Sequence, residues 1–458
     1  MAIKIYNTLT RQKDEFVPAQ AGNIKMFVCG PTVYNYIHIG NAMSFVAFDV
    51  IAKYFRYRGF NLRYIQNITD VDDRIIEESI ATGMSCDHIA EFYTKEYLAD
   101  MKSLGVDAVD EYLPAMKYIP QIISQIQRLV DKGVAYVLDD GVYYNIDAKK
   151  DYGKLSNQDL DQLNQHRIEG NDQKKNPGDF VIWKFHKPGE PKWDSPWGEG
   201  RPGWHIEDTA ITETVFGPQY DVHGGGIDLI FPHHEGEIAI MESVSEKIPF
   251  VRYWLHNGHL RVDNKKMSKS ENNFHTAREV LQKYDSAVMR YFYLSNHYRI
   301  PLNFTFEGLD AAKNSLSRLH NFMRAIEDVS ADSSSVDVEP LLQKAEVEFE
   351  EAMDDDFETS KALAAIFGLV REVNAAMQNI SKDDAHKIKE QMMKFNKVLG
   401  VLEVKKEHIP DEILDLVKKR DEERSKKNWK ESDRLRDEIL GLGFVVKDTP
   451  EGTKVHRV

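Results

Sequence analysis

Met26-Phe27-Val28-Cys29-Gly30-Pro31 is an apolar run of strand length closed by a turn dipeptide, and His38-Ile39-Gly40-Asn41 and a long apolar segment, Ala42 to Tyr57, follow it. Apolar side chains nearly all round that segment predict a helix buried between a sheet and a neighbouring layer. Gly59 ends it, and Leu62 to Gln66 begins another strand. Strand, helix and strand in that order form a crossover unit, and crossover units build parallel sheets. The expectation is an α/β protein.

Outward from this unit the texture changes twice. From about 115 to 200, a helical stretch ends near Gly133, and Tyr136 to Tyr144 carries a strong hairpin signal. A polar stretch, Asn164 to Asn176, then leads into a Trp- and Pro-rich passage, Pro177 to Trp204. Sheet texture resumes near Gln219 to His223 and again at Val251 to Leu255. The passage between is read as a connective insertion within an α/β domain over 1–255. A segment over 256–305 links it to the helical region beyond residue 306. There Leu309, Ala312, Leu316 and Leu319, and again Leu363, Ile366, Val370 and Val373, recur at helical steps. Two amphipathic helices flanking a Ser/Asp-rich loop predict an antiparallel bundle over 306–400. Pro410 marks a further boundary, and a charged helix to about Leu442, a strand at Phe444-Val445-Val446 and a turn at Thr449 to Gly452 fill a small mixed domain, 401–458.

Length and composition bound the class. A chain of 458 residues is too long for one core, and 42% apolar with 29% charged residues suits a water-soluble globular protein. No apolar run approaches the roughly 20 residues that span a membrane. Met1-Ala2-Ile3-Lys4-Ile5-Tyr6 enters a strand pattern with no signal-peptide profile, so a cytoplasmic location is expected. Only two cysteines occur, Cys29 and Cys86, in unrelated contexts, which excludes a disulfide framework. A net charge of −15 leaves an RNA partner to local basic patches such as Lys418-Lys419-Arg420.

The chemistry lies in two short segments. Lys266-Met267-Ser268-Lys269-Ser270 sets two lysines three apart among hydroxyls, after the Val251 to Leu255 strand. Alone it reads equally well as a solvated loop. Paired with His38-Ile39-Gly40-Asn41 before a helix, it resembles the two signatures of class I aminoacyl-tRNA synthetases, whose catalytic domain is of Rossmann type. His38, Lys266 and Lys269 are then the expected catalytic groups, stabilising charge on a triphosphate. Gly40 lets the helix start approach a nucleotide, and Asn41 and Ser268 join His38 and the lysines around ATP. Gly225, in His223-Gly224-Gly225-Gly226, allows close backbone approach, and Asp228 is placed to accept from ribose hydroxyls. Asn41 departs from the commoner histidine of the signature, and Met43 stands where many relatives carry arginine.

His233 and Glu237, four apart, share a helical face, and Cys29 ends the first strand, where a parallel sheet gathers ligands. Cys29 to Tyr34, Asn67 to Asp73, Gly203-Trp204-His205-Ile206-Glu207 and His223 through Glu235 together resemble cysteinyl-tRNA synthetases, from Ile5 to Thr453. The resemblance implies ATP-dependent joining of L-cysteine to tRNA(Cys), with Mg2+ accompanying ATP, Zn2+ binding the substrate thiol, and a monomer that binds no membrane. It maps zinc ligands onto Cys29, His233 and Glu237, with Asp208 where the family carries a second cysteine. Three arrangements follow: zinc with Asp208 as fourth ligand, zinc on three residues plus substrate or water, or a metal-poor site. Thr69, Trp204 and His205 map to substrate contacts, with the other tryptophans of the insertion (Trp183, Trp193 and Trp197) read as core. In the tail Trp429, Arg434 and Arg436 suit unstacked bases or, equally, a solvated ion-paired helix.

Overall fold

The computed structural model describes residues 2–157, 173–267, 273–402, 409–449 and 452–457. They fall into two compact units, residues 1–402 and 403–458. The first is built on β1 (Asn23–Val28), α1 (Ile39–Tyr57), β2 (Asn61–Ile68), β3 (Glu111–Pro114), α2 (Trp204–Phe216), β4 (Tyr220–Gly226), α3 (Glu235–Ser245) and β5 (Val251–Asn257). The strands form one five-stranded sheet in the order β5-β4-β1-β2-β3. Every pairing is parallel, with Met26 opposite Tyr64 on one side and Val222 on the other. Chain order reverses between β1 and β4, so their carboxyl ends open a crevice where such sheets bind ligands. The short edge strand β3 had no strand signal in the sequence, since it ends on Pro114 and is half solvated.

Helix α1 is buried on almost all sides, with Phe45, Phe48, Val50, Ile51 and Phe55 in the core. Its outer side meets helical segments rather than water. Arg290, in the helix Ser286–Leu294, pairs with Asp49 of α1 at 2.8 Å and donates to the Leu399 carbonyl at 3.0 Å. Both members of the pair are buried, which joins the sheet layer to the bundle. The bundle contains Phe306–Glu327, Glu339–Asp354, Thr359–Ala376 and Lys382–Leu399. Two of these, 339–354 and 382–399, were not anticipated. Their surfaces are heavily charged, and only narrow stripes (Leu342, Ala345 and Phe349; Ile388, Met392 and Phe395) face inward.

The insertion supplies a four-stranded antiparallel sheet, Ala135–Val137, Gly141–Tyr144, Phe180–Phe185 and Gly200–Pro202. Its core residues Tyr144, Ile182 and Trp183 pack with Ile206 and Ala210 of α2, and Trp193 and Trp197 pack against the same cluster. This layer therefore holds α2 over the crevice.

The second unit has its own core of Ile413, Val417, Ile439, Phe444 and Val446. The single charged helix expected there is two helices, Asp411–Ser425 and Trp429–Gly441. Lys427, with φ of +61°, ends the first, since a left-handed residue cannot continue a right-handed helix. The strand Phe444–Thr449 pairs with Gly452–Arg457 in an antiparallel hairpin. Among the described residues, no helix is long and apolar enough to cross a membrane.

Candidate active site and metal centre

His38 is the N-cap of α1. Its Nδ1 accepts from the Asn41 N–H at 3.1 Å, and Asn41 Oδ1 accepts from the His38 N–H at 3.3 Å, a reciprocal capping box. Because Nδ1 is an acceptor, the ring proton sits on Nε2. Burial pushes the His38 pKa down to about 4, against the opposite pull of the Asp228 carboxylate. The ring is therefore a neutral donor at the head of a helix whose free N–H groups attract phosphate. Asn41 spends its carbonyl oxygen on the cap and keeps its amide hydrogens as donors. Met43 is buried beside Tyr293, Ile300 and Leu302, in the apolar wall behind the helix start.

The start of α1 meets the segment just beyond the second signature through its backbone. Ile39 N–H donates to the His275 carbonyl at 3.1 Å, and Ala277 N–H donates to the Ile37 carbonyl at 2.9 Å. The His38 ring lies 5.7 Å from Phe274, edge to face. Lys266, exposed, sits in the two-residue strand Lys265–Lys266 paired with Leu260–Val262, and its carbonyl accepts from Asn273 Nδ2 at 3.1 Å. Ser268 and Lys269 lie outside the described residues.

At the end of β4 the glycines are required by what faces them. A Cβ on Gly224 would lie 2.4 Å from the Phe48 ring of α1, and one on Gly225 would lie 2.8 Å from His234 Cε1. Asp228 follows on an exposed turn.

The crevice floor is a dense polar cage. Cys29 follows β1, Asp208 lies on α2, His233 lies two residues before α3 and Glu237 lies in its first turn. All four are buried. His233 Nε2 is 2.9 Å from Glu237 Oε1 and 3.0 Å from Asp208 Oδ2, and Cys29 Sγ is 3.5 Å from Asp208 Oδ2. Asp208 Oδ1 and both Glu237 oxygens are buried with no hydrogen-bond partner of acceptable geometry. Burial, then Asp208 and Glu237, push the Cys29 thiol well up. Burial likewise lifts Glu237 to about 7, while on His233 the nearby carboxylates outweigh burial and raise it to about 9. A thiol and two carboxylates crowded into a dry volume, with orphaned oxygens, fit a divalent cation. The sulfur, nitrogen and two oxygens form an acceptable zinc donor set.

Trp204 is 39% exposed and stacks on His233, with ring centroids 4.1 Å apart and planes at 20°. His205 Nδ1 lies 2.9 Å from His233 Nδ1, so it orients that ring. Thr69, buried at the end of β2, donates its N–H to the Pro31 carbonyl at 3.1 Å, and its Oγ1 accepts from Asn67 Nδ2 at 3.2 Å. Sequence reasoning passed over three histidines that also reach this floor. His223 and His234 place Nε2 at 3.4 and 3.1 Å from Cys29 Sγ, and His256 backs His234 at 2.8 Å. In the sequence, His223 stands beside three glycines whose own signal is a turn or a close backbone approach. A sharper signal was available: buried strand ends bearing histidine call for a partner.

These features define a class I aminoacyl-tRNA synthetase catalytic core, and residues 15–314 match the family described as the tRNA synthetases class I (C) catalytic domain. Residues 348–403 match the DALR domain, and residues 406–455 match the cysteinyl-tRNA ligase anticodon binding domain. The chain is 43% identical to the cysteine–tRNA ligase of Caldicellulosiruptor saccharolyticus over 465 residues, covering 100% of both. It is 44% identical to those of Thermococcus onnurineus and Clostridioides difficile, again over 100% of each chain. The protein belongs to the cysteine–tRNA ligase family of class I synthetases. In fold it is similar to the methionyl-tRNA synthetase of Mycobacterium tuberculosis, with a TM-score of 0.62 at 14% identity over 83% of this chain and 90% of that one. LeuRS of Agrobacterium radiobacter K84, solved in a ternary complex, gives a TM-score of 0.64 at 12% identity over 84% and 85%.

Proposed function

We propose that this protein activates L-cysteine with Mg2+-bound ATP, releasing pyrophosphate, and passes the cysteinyl group to the 3′-terminal ribose of tRNA(Cys). The observation that carries the reading is the buried thiol–carboxylate–imidazole cage at the carboxyl ends of a parallel sheet whose next helix begins at the His38 capping box. Cys29, Asp208, His233 and Glu237 would hold zinc, which when bound supplies a soft inner-sphere ligand site for the substrate thiolate. Serine coordinates such a site weakly, so selectivity does not depend on pocket size.

The remaining steps belong to the chain's own groups. Trp204 walls the pocket with its exposed indole, His205 fixes the His233 ring, and Thr69 offers its hydroxyl to the amino acid's polar end. His38 donates Nε2–H to the triphosphate without carrying charge. Lys266 and Lys269 supply the cationic part of the clamp as negative charge shifts to pyrophosphate. Gly40, Asn41, Gly225 and Ser268 line the nucleotide's path, and Asp228 accepts from the ribose. The adenylate's carbonyl then faces attack by the tRNA hydroxyl, held in place by the helical and carboxyl-terminal domains.

A single chain carries every group named, which suits a monomer, and two unpaired thiols suit the reducing cytoplasm. A related reading, in which activated cysteine is joined to an amino-sugar, leaves the match over 406–455 without a role. The test is ATP–pyrophosphate exchange with each amino acid, followed by charging of tRNA. Cysteine-dependent exchange without serine-dependent exchange, then charging of tRNA(Cys), is expected. Absence of exchange from metal-replete protein would remove the reading.

A further inference from the structure

The cage has more ligands than one tetrahedral ion needs. Among the described residues, two groups of four could hold a metal: Cys29, Asp208, His233 and Glu237, and Cys29, His223, His234 and Glu237. They share the thiol and one carboxylate and differ in the other pair. In the second group His234 Nε2 and His223 Nε2 lie 3.1 and 3.4 Å from Cys29 Sγ, near the roughly 3.3–3.8 Å between donors of a tetrahedral zinc site. Both histidines are completely buried, the second nitrogen of each is already engaged, and Glu237 Oε2 lies 3.5 Å from His223 Nδ1 at the edge of the seat. His223 Nδ1 is 2.6 Å from Tyr220 Oη, and His234 Nδ1 is 2.8 Å from His256 Nε2. His256 is in turn held through Nδ1 by Thr8 Oγ1 at 2.7 Å. Outer partners of this kind fix the tautomer and aim of metal-binding imidazoles. Gly225 keeps the space that lets His234 reach the cage, since a Cβ there would lie 3.2 Å from its Nε2.

We propose that His223 and His234, with Cys29 and Glu237, form a second zinc seat overlapping the first, so that Asp208 is not required to retain the ion. The proposal rests on reading the cage as a zinc site. Only one ion fits at a time, because both seats use Cys29 and Glu237. The second seat offers one sulfur, two nitrogens and one oxygen, a softer set than the first and closer to zinc's preference. In a chain that carries aspartate on α2, the imidazole seat keeps the ion in the crevice.

Zinc content, chelator-competition affinity and the absorption of Co2+-substituted protein test this on the full-length chain. Asp208→Ala is expected to keep close to one zinc per chain, with affinity reduced by less than about ten-fold, and to keep the sulfur-to-cobalt charge-transfer band. Adding His223→Gln and His234→Gln to it should weaken zinc by roughly a hundred-fold more. Loss of zinc from Asp208→Ala alone, with wild-type protein loaded, overturns the second seat and leaves the first. A triple variant that holds zinc as well as Asp208→Ala also overturns it. Wild-type protein that binds no zinc removes the underlying reading instead. If the triple variant does not fold, ring N–H resonances of Co2+-loaded Asp208→Ala decide. Two hyperfine-shifted signals, from His223 and His234, support the seat, and one, from His233, overturns it.

Discussion

Asp208 is a buried carboxylate whose Oδ1 has no hydrogen-bond partner and whose Oδ2 meets His233 and Cys29. Burying an unpaired carboxylate is costly, so its neighbours are arranged for a cation. Cys29 is common to every donor set available, and Cys29→Ala should therefore lower zinc affinity by roughly a hundred-fold, read by chelator competition. Asp208→Cys should retain zinc and strengthen the sulfur-to-cobalt band. His38 supplies a pH prediction. Its folded pKa of about 4 lies below the ordinary value of 6.5, so the unfolded chain takes up its proton first. The stability this ring contributes is complete above pH 6.5 and declines as pH falls toward 4. His38→Gln should flatten the acid side of the stability curve, and NMR should show no titration of the His38 ring between about pH 5.5 and 8.

Elements position these residues by packing, and the packing is tight where it matters. Gly224 brings β4 against α1, so Gly224→Ala presses a methyl group into Phe48. A loss of about 1–3 kcal/mol is expected in denaturant titration. The Arg290–Asp49 pair binds α1 to the bundle, and Arg290→Met would leave Asp49 with Lys53 as its nearby cation. A cost of about 3 kcal/mol is expected, seen as a lowered Tm. The alternation of strand and helix was legible in the sequence because α1 is long and apolar, and β4 and β5 are seven-residue strands that run into glycine. Strand β3 and the charged bundle helices were not, because their inward faces are two or three residues wide and appear only when a neighbour covers them.

At the scale of the whole molecule, activation and charging are expected to draw on different parts. The sheet, the insertion and the cage lie in the unit ending at residue 402, while the unit beyond it has a separate core. A chain ending at residue 402 should keep cysteine-dependent pyrophosphate exchange within a few-fold and lose most tRNA charging. Within the second unit, Trp429 is 57% exposed, whereas Arg434 is occupied by Glu431 at 2.7 Å and Glu438 at 2.9 Å. Of the two side chains, the indole is the one left exposed and without an ion-pair partner, so Trp429→Ala is expected to weaken tRNA charging more than Arg434→Ala does.

By itself the sequence determined the crossover sheet, the two signature segments and the cage members Cys29, Asp208, His233 and Glu237, because each is carried by local spacing or by a segment that resembles a family. Only the tertiary structure showed that His223 and His234 converge on the Cys29 thiol with His256 behind His234, and that the helix start beside His38 is hydrogen-bonded to the segment at His275. Those contacts join residues far apart in the chain, and no periodicity records them. Cys29, His223 and His256 come together because parallel strands place their carboxyl ends side by side whatever the length of chain between them.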